Sequence, residues 1–271
     1  MTRRLTLTLL CLCLAAAVLA ACATVPITGR RQLSLIPDSQ MNSMSFTQYD
    51  QVLKESKLSR DAAATEQVRR VGKRIQGAVE RYFEQQGQSQ QLAGYAWDFN
   101  LIESKEVNAW CMPGGKVAFY TGILPVCKDD TGIAVVMGHE VAHAIARHGG
   151  ERMSQELAVQ LGGVALSEAM RTKPEQTRNL WLSAFGAGAQ VGVLLPFSRQ
   201  HESEADRMGL IFMAMAGYDP QQAPKFWERM AANSGSAPPE WLSTHPADET
   251  RIRQLNEHLP EALQYYQAPK R

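Results

Sequence analysis

The stretch DDTGIAVVMGHEVAHAIARH, residues 129–148, decides how the rest of the chain is interpreted. It opens with Asp129 and Asp130, whose short carboxylates suit the free N–H groups at the start of a helix. Behind them, apolar residues recur at helical spacing and form one stripe: Ile133, Val136, Met137, Val141, Ala144 and Ile145. The sequence therefore predicts a helix that begins near Asp129 and buries an apolar face.

Two histidines and a glutamate interrupt this apolar pattern in the segment His139-Glu140-Val141-Ala142-His143. Four residues advance a helix by about 6 Å and turn it by about 400°, so both imidazoles project from nearly the same side. They can therefore bind one metal ion, and Glu140 lies beside that ion as a general base for an activated water. The alternative is an ordinary helix with two histidines that face solvent.

A catalytic zinc ion commonly takes two histidines and one glutamate from the protein. The best third donor lies in the helical segment RQHESEADRMG, residues 199–209, where Glu202 and Asp206 share one face. We expect Glu202 to reach the metal and Asp206 to accept the remaining N–H of a ligating histidine. His201 and Glu204 are rival ligands, although each is turned away from that face by roughly 100 to 200°. The alternative is a solvated acidic helix face.

These two segments together resemble a known family of HExxH zinc metallopeptidases, which includes HtpX, the CAAX prenyl protease, BepA and LoiP. The resemblance rests on the helix with its continuation Arg147-His148 and on the downstream ExxxD segment Glu202 to Asp206. It also rests on Asn108-Ala109, Pro113-Gly114-Gly115 and Thr121-Gly122, which precede the helix. The resemblance covers roughly residues 38 to 260.

The resemblance implies one zinc ion per chain on His139, His143 and Glu202, with Glu140 as the general base. It also implies an α+β fold, predominantly α-helical, with a zincin-like domain of the gluzincin type and a small antiparallel sheet. The chain lacks the spanning helices of HtpX, and only eleven residues follow Pro260, where BepA has a helical-repeat domain. We therefore expect single-domain periplasmic lipoproteins such as LoiP to be the closest relatives.

His245, in the segment Ser243-Thr244-His245-Pro246, lies on a predicted loop. It matches a position that approaches the zinc in BepA-like members of the family. A histidine there is either a plug in the fourth zinc position or a hydrogen-bond donor to the transition state, so His245 joins Glu140 as a catalytic candidate. The alternative is a surface histidine in front of a proline turn.

The N-terminus has the order of a secretory signal peptide, since two arginines precede an uncharged apolar run from Leu5 to Ala21. The run ends in Leu19-Ala20-Ala21-Cys22, which resembles the bacterial lipobox, so residues 1–21 are the predicted signal peptide and Cys22 the site of lipid attachment, including palmitate. The alternative is an uncleaved anchor helix. Ala23 stands where aspartate would signal inner-membrane retention, which by resemblance implies the periplasmic face of the outer membrane.

The rest of the chain divides into two predicted parts. Residues 22–37 carry Pro26, Gly29 and Pro37 and few large apolar side chains, which is typical of a tether, here lipid-anchored. Residues 38–271 form the predicted zinc metallopeptidase domain. Its first helices carry apolar residues at helical spacing: Val52, Val68, Val71, Ile75 and Val79.

A β-rich region between Tyr95 and Thr121 predicts the small sheet, because aromatic residues alternate there and a Pro-Gly-Gly turn separates two runs. We expect an extended substrate to add as a strand at the sheet edge near Lys116 to Thr121. The uncharged run Trp181–Phe197 contains three glycines. It predicts either a helix pair packed in the core, which we prefer, or a mobile flap beside the cleft.

The predicted secretion places the cysteines of the mature chain in an oxidising compartment. Cys11 and Cys13 leave with the signal peptide and Cys22 is acylated, so Cys111 and Cys127 remain as thiols. We predict a disulfide between these two. The alternative is two unpaired buried cysteines, because the sequence does not show that their Cα atoms lie within about 7 Å of each other.

The charge of the chain excludes nucleic acid as a main partner, because 28 Lys and Arg against 27 Asp and Glu leave no broad basic field. The predicted function is a zinc-dependent endopeptidase of the bacterial envelope that hydrolyses unfolded or misassembled proteins in protein quality control. Its predicted partners are flexible protein substrates, the membrane through the lipid on Cys22, and envelope assembly machinery. The alternatives are a periplasmic chaperone whose zinc is structural or blocked, and a metal-dependent esterase or amidase that acts on envelope polymers.

Overall fold

The computed structural model describes residues 22–232, 245 and 249–267, apart from the side chains of residues 193, 196 and 197. Its contacts divide the described chain into two compact units. The core unit comprises Asp38–Ala146 and the described residues after Phe197, and the hairpin unit comprises the described residues before Asp38 together with Arg147–Phe197. The signal peptide predicted for residues 1–21 lies outside the described residues, and the predicted domain boundaries stay predictions.

Helices make up most of the described chain, and two small sheets hold the strands. In chain order the elements are β1 (Cys22–Thr24), β2 (Arg31–Leu33), α1 (Asp38–Glu55), α2 (Ala62–Gln85), β3 (Asp98–Ile102), β4 (Ala109–Met112), β5 (Lys116–Tyr120), α3 (Leu124–Cys127), α4 (Asp130–Ile145), α5 (His148–Ala169), α6 (Glu175–Ala189), α7 (Leu195–Met215), α8 (Gln222–Ala232) and α9 (Glu249–Leu263). A π-helical segment, Gln190–Leu194, joins α6 to α7. The predicted class, a predominantly helical α+β fold with a small sheet, is confirmed.

The sheet of the core unit has three strands in the order β3-β5-β4. β4 runs antiparallel to β5, with Ala109 opposite Phe119, whereas β3 runs parallel to β5, with Asp98 opposite Lys116. β5 therefore has a partner on both sides, which uses its backbone hydrogen-bonding groups. The prediction that a substrate strand adds near Lys116 to Thr121 is wrong for this reason, and β4 is an edge of this sheet among the described strands.

Helix α2 confirms the amphipathic pattern predicted for it. Its first turn is capped by Asp61, whose side chain accepts a hydrogen bond from the backbone N–H of Ala64 at 2.9 Å. The buried positions are Val68, Val71, Gly72, Ile75, Ala78, Val79, Tyr82 and Phe83. Since α2 contacts both β3 and α4, it closes one side of the core.

Helix α4 is buried more completely than the predicted stripe requires. Asp129 caps its first turn by accepting a hydrogen bond from the N–H of Gly132 at 2.9 Å. Of its 16 residues, all except Asp130, Thr131 and His143 are buried, because α2, β4, α3 and α8 all contact this helix. His139 and Glu140 therefore lie inside the protein, and the side chain of His143 is only 13% exposed, which is inconsistent with a helix that presents two histidines to solvent.

The hairpin unit is folded where the sequence predicts a tether. β1 and β2 pair antiparallel, with Cys22 opposite Leu33, and Val25 between them is fully buried. The guanidinium of Arg30 forms an ion pair with the buried carboxylate of Glu151 on α5 at 2.6 Å. Contacts of this kind hold residues 22–33 against α5, so this segment is a docked strand pair and not an extended linker.

Helices α5 and α6 contact each other and form a helical hairpin. In the run Trp181–Phe197, Ala189 is the one buried side chain among those described, and Trp181 is 56% exposed. The helix pair is present, but the predicted core packing of this run is wrong, because its large side chains such as Trp181 and Val191 are exposed. Among the described residues, no helix combines the length and the apolar character needed to cross a membrane.

Cys111 on β4 and Cys127 at the end of α3 are free thiols, so the predicted disulfide is not formed. The two side chains have different surroundings: Cys111 lies near the carboxylate of Glu140, whereas Cys127 lies near Arg229 and Asp129. Burial raises the pKa of both thiols, which keeps them protonated and poorly reactive.

Candidate metal centre

Four side chains from three parts of the chain converge in the core unit: His139 and His143 on α4, Glu202 on α7, and His245. Each offers one ligand atom, and these four atoms all lie within 4.8 Å of one another. The Nε2 atoms of His139 and His143 are 3.1 Å apart, and Oε1 of Glu202 lies 3.3 Å from Nε2 of His143. Nitrogen and oxygen atoms arranged in this way can hold a single metal ion.

The two helices that carry most of these ligands cross at a pair of glycines. A Cβ on Gly138 would lie 2.9 Å from the backbone oxygen of Gly209, and a Cβ on Gly209 would lie 2.9 Å from the backbone nitrogen of His139. Because the two backbones touch here, the crossing has no room for a side chain. His139 is thereby brought beside α7, where Asp206 and Glu202 lie about one and two turns before Gly209.

Asp206 orients the first ligand histidine. Its Oδ1 lies 2.9 Å from Nδ1 of His139, which leaves Nε2 directed at the cluster. Asp206 is buried and also accepts two hydrogen bonds of 2.8 Å from the guanidinium of Arg251. The structure thus places Asp206 between a ligand histidine and a cation, and the contact with histidine is the one that the sequence predicts.

Arg251, on α9, is a residue of this site that the sequence pattern does not predict. Its Nη1 also lies 3.2 Å from Oε2 of Glu202, and its guanidinium carbon lies 3.3 Å above the ring centroid of Trp227. One buried cation therefore serves two carboxylates. A signal was present in the sequence, because Arg251 lies in the stripe that α9 buries, together with Leu255 and Ala262, and a charge in such a stripe needs a partner.

The surroundings of the ligands set their protonation. Burial lowers the pKa of His143 to about 4, which keeps this imidazole neutral, as a metal ligand must be. Burial and Arg251 also act to lower the pKa of His139, but hydrogen bonds to Asp206 and Glu202 outweigh them and raise it to about 9. Burial opposes the ionisation of Glu202, yet the histidines around it hold its pKa well below the usual range. The ionised carboxylate favours binding of a cation.

Glu140 lies beside the cluster and is not one of its four ligand side chains. It is buried, and its Oε1 lies 3.6 Å from Nε2 of His245. The rival ligands His201 and Glu204 are buried as well but fall outside the cluster found among the described residues. Burial of Glu204 and Asp206 is inconsistent with the alternative of a solvated acidic face on α7.

His245 belongs to the cluster itself. Its Nδ1 lies 2.8 Å from Oε2 of Glu202 and 3.1 Å from Nε2 of His139. The side chain is 13% exposed, so the alternative of a surface histidine is wrong. The adjacent residues of the predicted loop, Ser243, Thr244 and Pro246, lie outside the described residues.

A buried pair of histidines one helical turn apart, completed by a glutamate from a second helix and flanked by a carboxylate base, is the arrangement of a metallopeptidase. Comparison with known families leads to the same class, since the profile of Peptidase family M48 matches residues 70–259. The chain belongs to peptidase family M48. The metallopeptidase class predicted from the sequence is thereby confirmed.

Known proteins similar to this chain come from mitochondria and from bacteria. Mitochondrial metalloendopeptidase OMA1 of Schizosaccharomyces pombe is 40% identical over 173 residues, which is 63% of this chain and 49% of that protein. Metalloendopeptidase OMA1, mitochondrial, of Homo sapiens is 29% identical over 244 residues, 88% of this chain and 46% of that protein. The Beta-barrel assembly-enhancing protease of Escherichia coli is 32% identical over 163 residues, 57% of this chain and 32% of that protein.

This chain thus spans about half the length of the OMA1 proteins that it matches. The resemblance predicted from the sequence is confirmed at the level of the family. A special likeness to LoiP stays a prediction.

Proposed function

We propose that this chain is a zinc-dependent endopeptidase of the bacterial envelope that cleaves unfolded or misassembled envelope proteins. One observation carries the proposal, namely the convergence of the four ligand atoms from α4, α7 and His245 within 4.8 Å. The envelope location is supported by the lipobox-like sequence Leu19 to Cys22 and by similarity to a protease whose name assigns it to β-barrel assembly. A lipid on Cys22 would hold the protein on the periplasmic face of the outer membrane, as in LoiP-like lipoproteins, where envelope assembly machinery is within reach.

The side chains present fit a zinc ion. Zinc in peptidases commonly takes two imidazole nitrogens and one carboxylate oxygen, which His139, His143 and Glu202 supply. The hydrogen bond from His139 to Asp206 is the kind of support that ligating histidines usually have. When bound, the ion would polarise the scissile carbonyl and make a nearby water more acidic.

Glu140 is the residue that moves the proton. Its buried carboxylate lies next to the ligand cluster without belonging to it, so it remains available as a base. It takes a proton from the attacking water and returns that proton to the leaving amine. His245, whose Nε2 lies 3.6 Å from Oε1 of Glu140, has a second candidate role beside the plug described below, as a hydrogen-bond donor to the carbonyl oxygen when negative charge develops there.

The substrate binds as an added strand on β4. This strand is an edge of the described three-stranded sheet and contacts α4, so a peptide along it passes beside the ligand helix. Pairing of this kind needs an extended backbone with free N–H and C=O groups. Folded proteins do not offer such a segment, which is why we propose unfolded or flexible substrates.

Metal analysis and casein digestion of Glu140→Gln test this proposal. We expect wild type to contain about one zinc per chain and to digest casein until a chelator is added. Glu140→Gln should keep its zinc, while turnover falls by about 10²- to 10⁴-fold because the general base is lost. Glu156→Gln, at an exposed position on α5, is the matched control and should behave as wild type. Purified protein without a stoichiometric transition metal would contradict the proposal.

His245 regulates the same site as a plug. Its contacts with Glu202 and His139 place it within the ligand group, where it would compete with the attacking water. We expect His245→Ala to raise basal casein hydrolysis without loss of zinc. Unchanged turnover in a purified variant that keeps its zinc would contradict the plug role, and reduced turnover would favour the role of hydrogen-bond donor.

The family match does not favour the predicted alternative of a chaperone.

A further inference from the structure

The helical hairpin carries large apolar side chains on its surface. On α5, Leu157, Leu161 and Val164 are 40%, 59% and 67% exposed, and their spacing of four and three residues places them on one face. On α6, Leu180 and Trp181 are 69% and 56% exposed. We call these five residues the apolar hairpin surface.

Charged residues are absent from both helices over the stretches that carry this surface. The sequence has no Asp, Glu, Lys or Arg at residues 157–167 or at residues 179–198. The inner side of the hairpin is closed, because Gly162 lies so near Phe185 that a Cβ there would be 2.9 Å from its ring. The exposed side chains are therefore not needed to join the two helices, and an uncharged surface of this kind is typical of an interaction site.

The first described residue, Cys22, lies in the same compact unit as this surface. Cys22 begins β1, and the N–H of Leu35 donates a hydrogen bond to Oγ of Ser154 on α5 at 3.0 Å. From Ser154 the helix advances about 5 Å to Leu157 and about 15 Å to Val164, so the surface starts within a short distance of the docked segment. A lipid on Cys22 or an anchor helix formed by the apolar run before it would place a bilayer next to this unit.

We propose that the apolar hairpin surface lies in the interface of the phospholipid bilayer to which the chain is attached. This inference rests on the membrane attachment contained in the proposed function. The hairpin lies on the bilayer and does not cross it, because no described helix has the length and apolar character to span a membrane. Trp181 and the leucines are the side chain types that interfacial helices insert to a depth of about 5–10 Å.

Tryptophan quenching by brominated lipid tests this contact. The full-length protein is reconstituted in vesicles of phosphatidylethanolamine and phosphatidylglycerol, with either ordinary or brominated acyl chains. Emission from Trp181 is obtained as the difference between wild type and Trp181→Phe, a mild change at an exposed position. Bromine quenches the fluorescence of an indole on contact. We therefore expect the emission assigned to Trp181 to be several-fold lower in the brominated vesicles than in the ordinary ones. Equal emission in the two kinds of vesicle would overturn the proposal.

A matched pair of leucine variants separates the hairpin from the rest of the chain. Leu161→Gln should reduce the quenching of Trp181, whereas Leu58→Gln, at a leucine of the core unit that is 43% exposed, should leave it unchanged. Identical results for the two variants would overturn the proposal. A third outcome is Trp181 emission that bromine does not quench but that changes with protein concentration. This result would show that a second copy of the chain covers the apolar hairpin surface, and it would also overturn the proposal.

The mass of the N-terminal peptide tests the lipid anchor separately. If Cys22 carries no acyl group while bromine quenches Trp181, the proposed lipid anchor fails and the bilayer contact stands. If Cys22 is acylated and Trp181 is not quenched, the bilayer contact fails and the anchor stands. Neither result depends on whether the protein cleaves casein.

Discussion

The crossing of α4 and α7 and the hairpin of α5 and α6 both contain glycines within helices, yet these glycines have different surroundings. At the crossing, a Cβ on Gly138 or Gly209 would lie 2.9 Å from the backbone of the other helix. On α6, a Cβ on Gly186 or Gly188 would meet nothing within 4 Å. The first pair is required by packing, whereas the second leaves a helix surface open. Composition therefore does not decide burial, and the neighbouring elements do.

The two units also differ in which side chains they bury and which they expose. The core unit buries His139, Glu140 and Asp206, whereas the hairpin unit exposes Leu161 and Trp181. Burial of polar groups is costly unless each has a partner, and exposure of large apolar groups marks a surface that binds something. Both departures from the usual distribution lie where we propose a function.

The largest effect on stability is expected for Arg251→Met, which tests how far the buried polar cluster depends on its arginine. Removal of Arg251 takes away the guanidinium that pairs with the buried carboxylate of Asp206 and leaves His139 as its remaining contact, which costs about 3–5 kcal/mol. Zinc affinity should also fall by about 10- to 100-fold, because Asp206 and Glu202 lose a group that orients them. Urea unfolding and competition with a chromophoric chelator measure the two effects.

Arg253→Met is the matched control for that variant. Arg253 lies on the same helix with its side chain 64% exposed, and its contact with Glu257 is 3.9 Å long. An exposed pair of this kind contributes little, so we expect a change within about 0.5 kcal/mol and an unchanged zinc affinity. Equal stability of the two variants would show that the cluster does not depend on Arg251.

A smaller loss is expected for Gly209→Ala, which breaks the close crossing of the ligand helices. The added Cβ meets the backbone of His139 and Gly138, so the helices must move apart at a cost of about 1–3 kcal/mol. This exceeds or cancels the gain of roughly 1 kcal/mol that alanine brings in helix propensity. Since the shift moves Glu202 away from the histidines of α4, zinc affinity should fall as well. An unchanged affinity in chelator competition would contradict this role of the crossing.

The parts of the site that were predictable from the sequence depend on local geometry. Helical spacing alone places His139 and His143 on one side of α4, and it places Glu202 and Asp206 on one side of α7. The helix caps at Asp61 and Asp129 are also local, because each carboxylate accepts a hydrogen bond from an N–H group three residues further along the chain. Residue types at fixed offsets carry this information, so no knowledge of tertiary contacts was needed.

The parts that were not predictable depend on which elements touch. The role of Arg251 requires that α9 pack near α7, and the central position of β5 requires that β3 return parallel to it. The predicted disulfide and the predicted core packing of Trp181–Phe197 failed for the same reason, since both assumed neighbours that the chain does not provide. Spacing within one segment contains no such information.

The smallest effect, and the only stabilising one, is expected for Gly186→Ala. The position is exposed on α6 and a Cβ there would meet nothing within 4 Å, so alanine adds no clash. Alanine restricts the unfolded chain more than glycine does, which should raise stability by about 0.5–1 kcal/mol in thermal unfolding. The same chemical change thus has opposite signs at Gly209 and Gly186. If Gly186→Ala were destabilising in the absence of lipid, α6 would have to pack against protein at this face, and the contrast between the two regions would not hold.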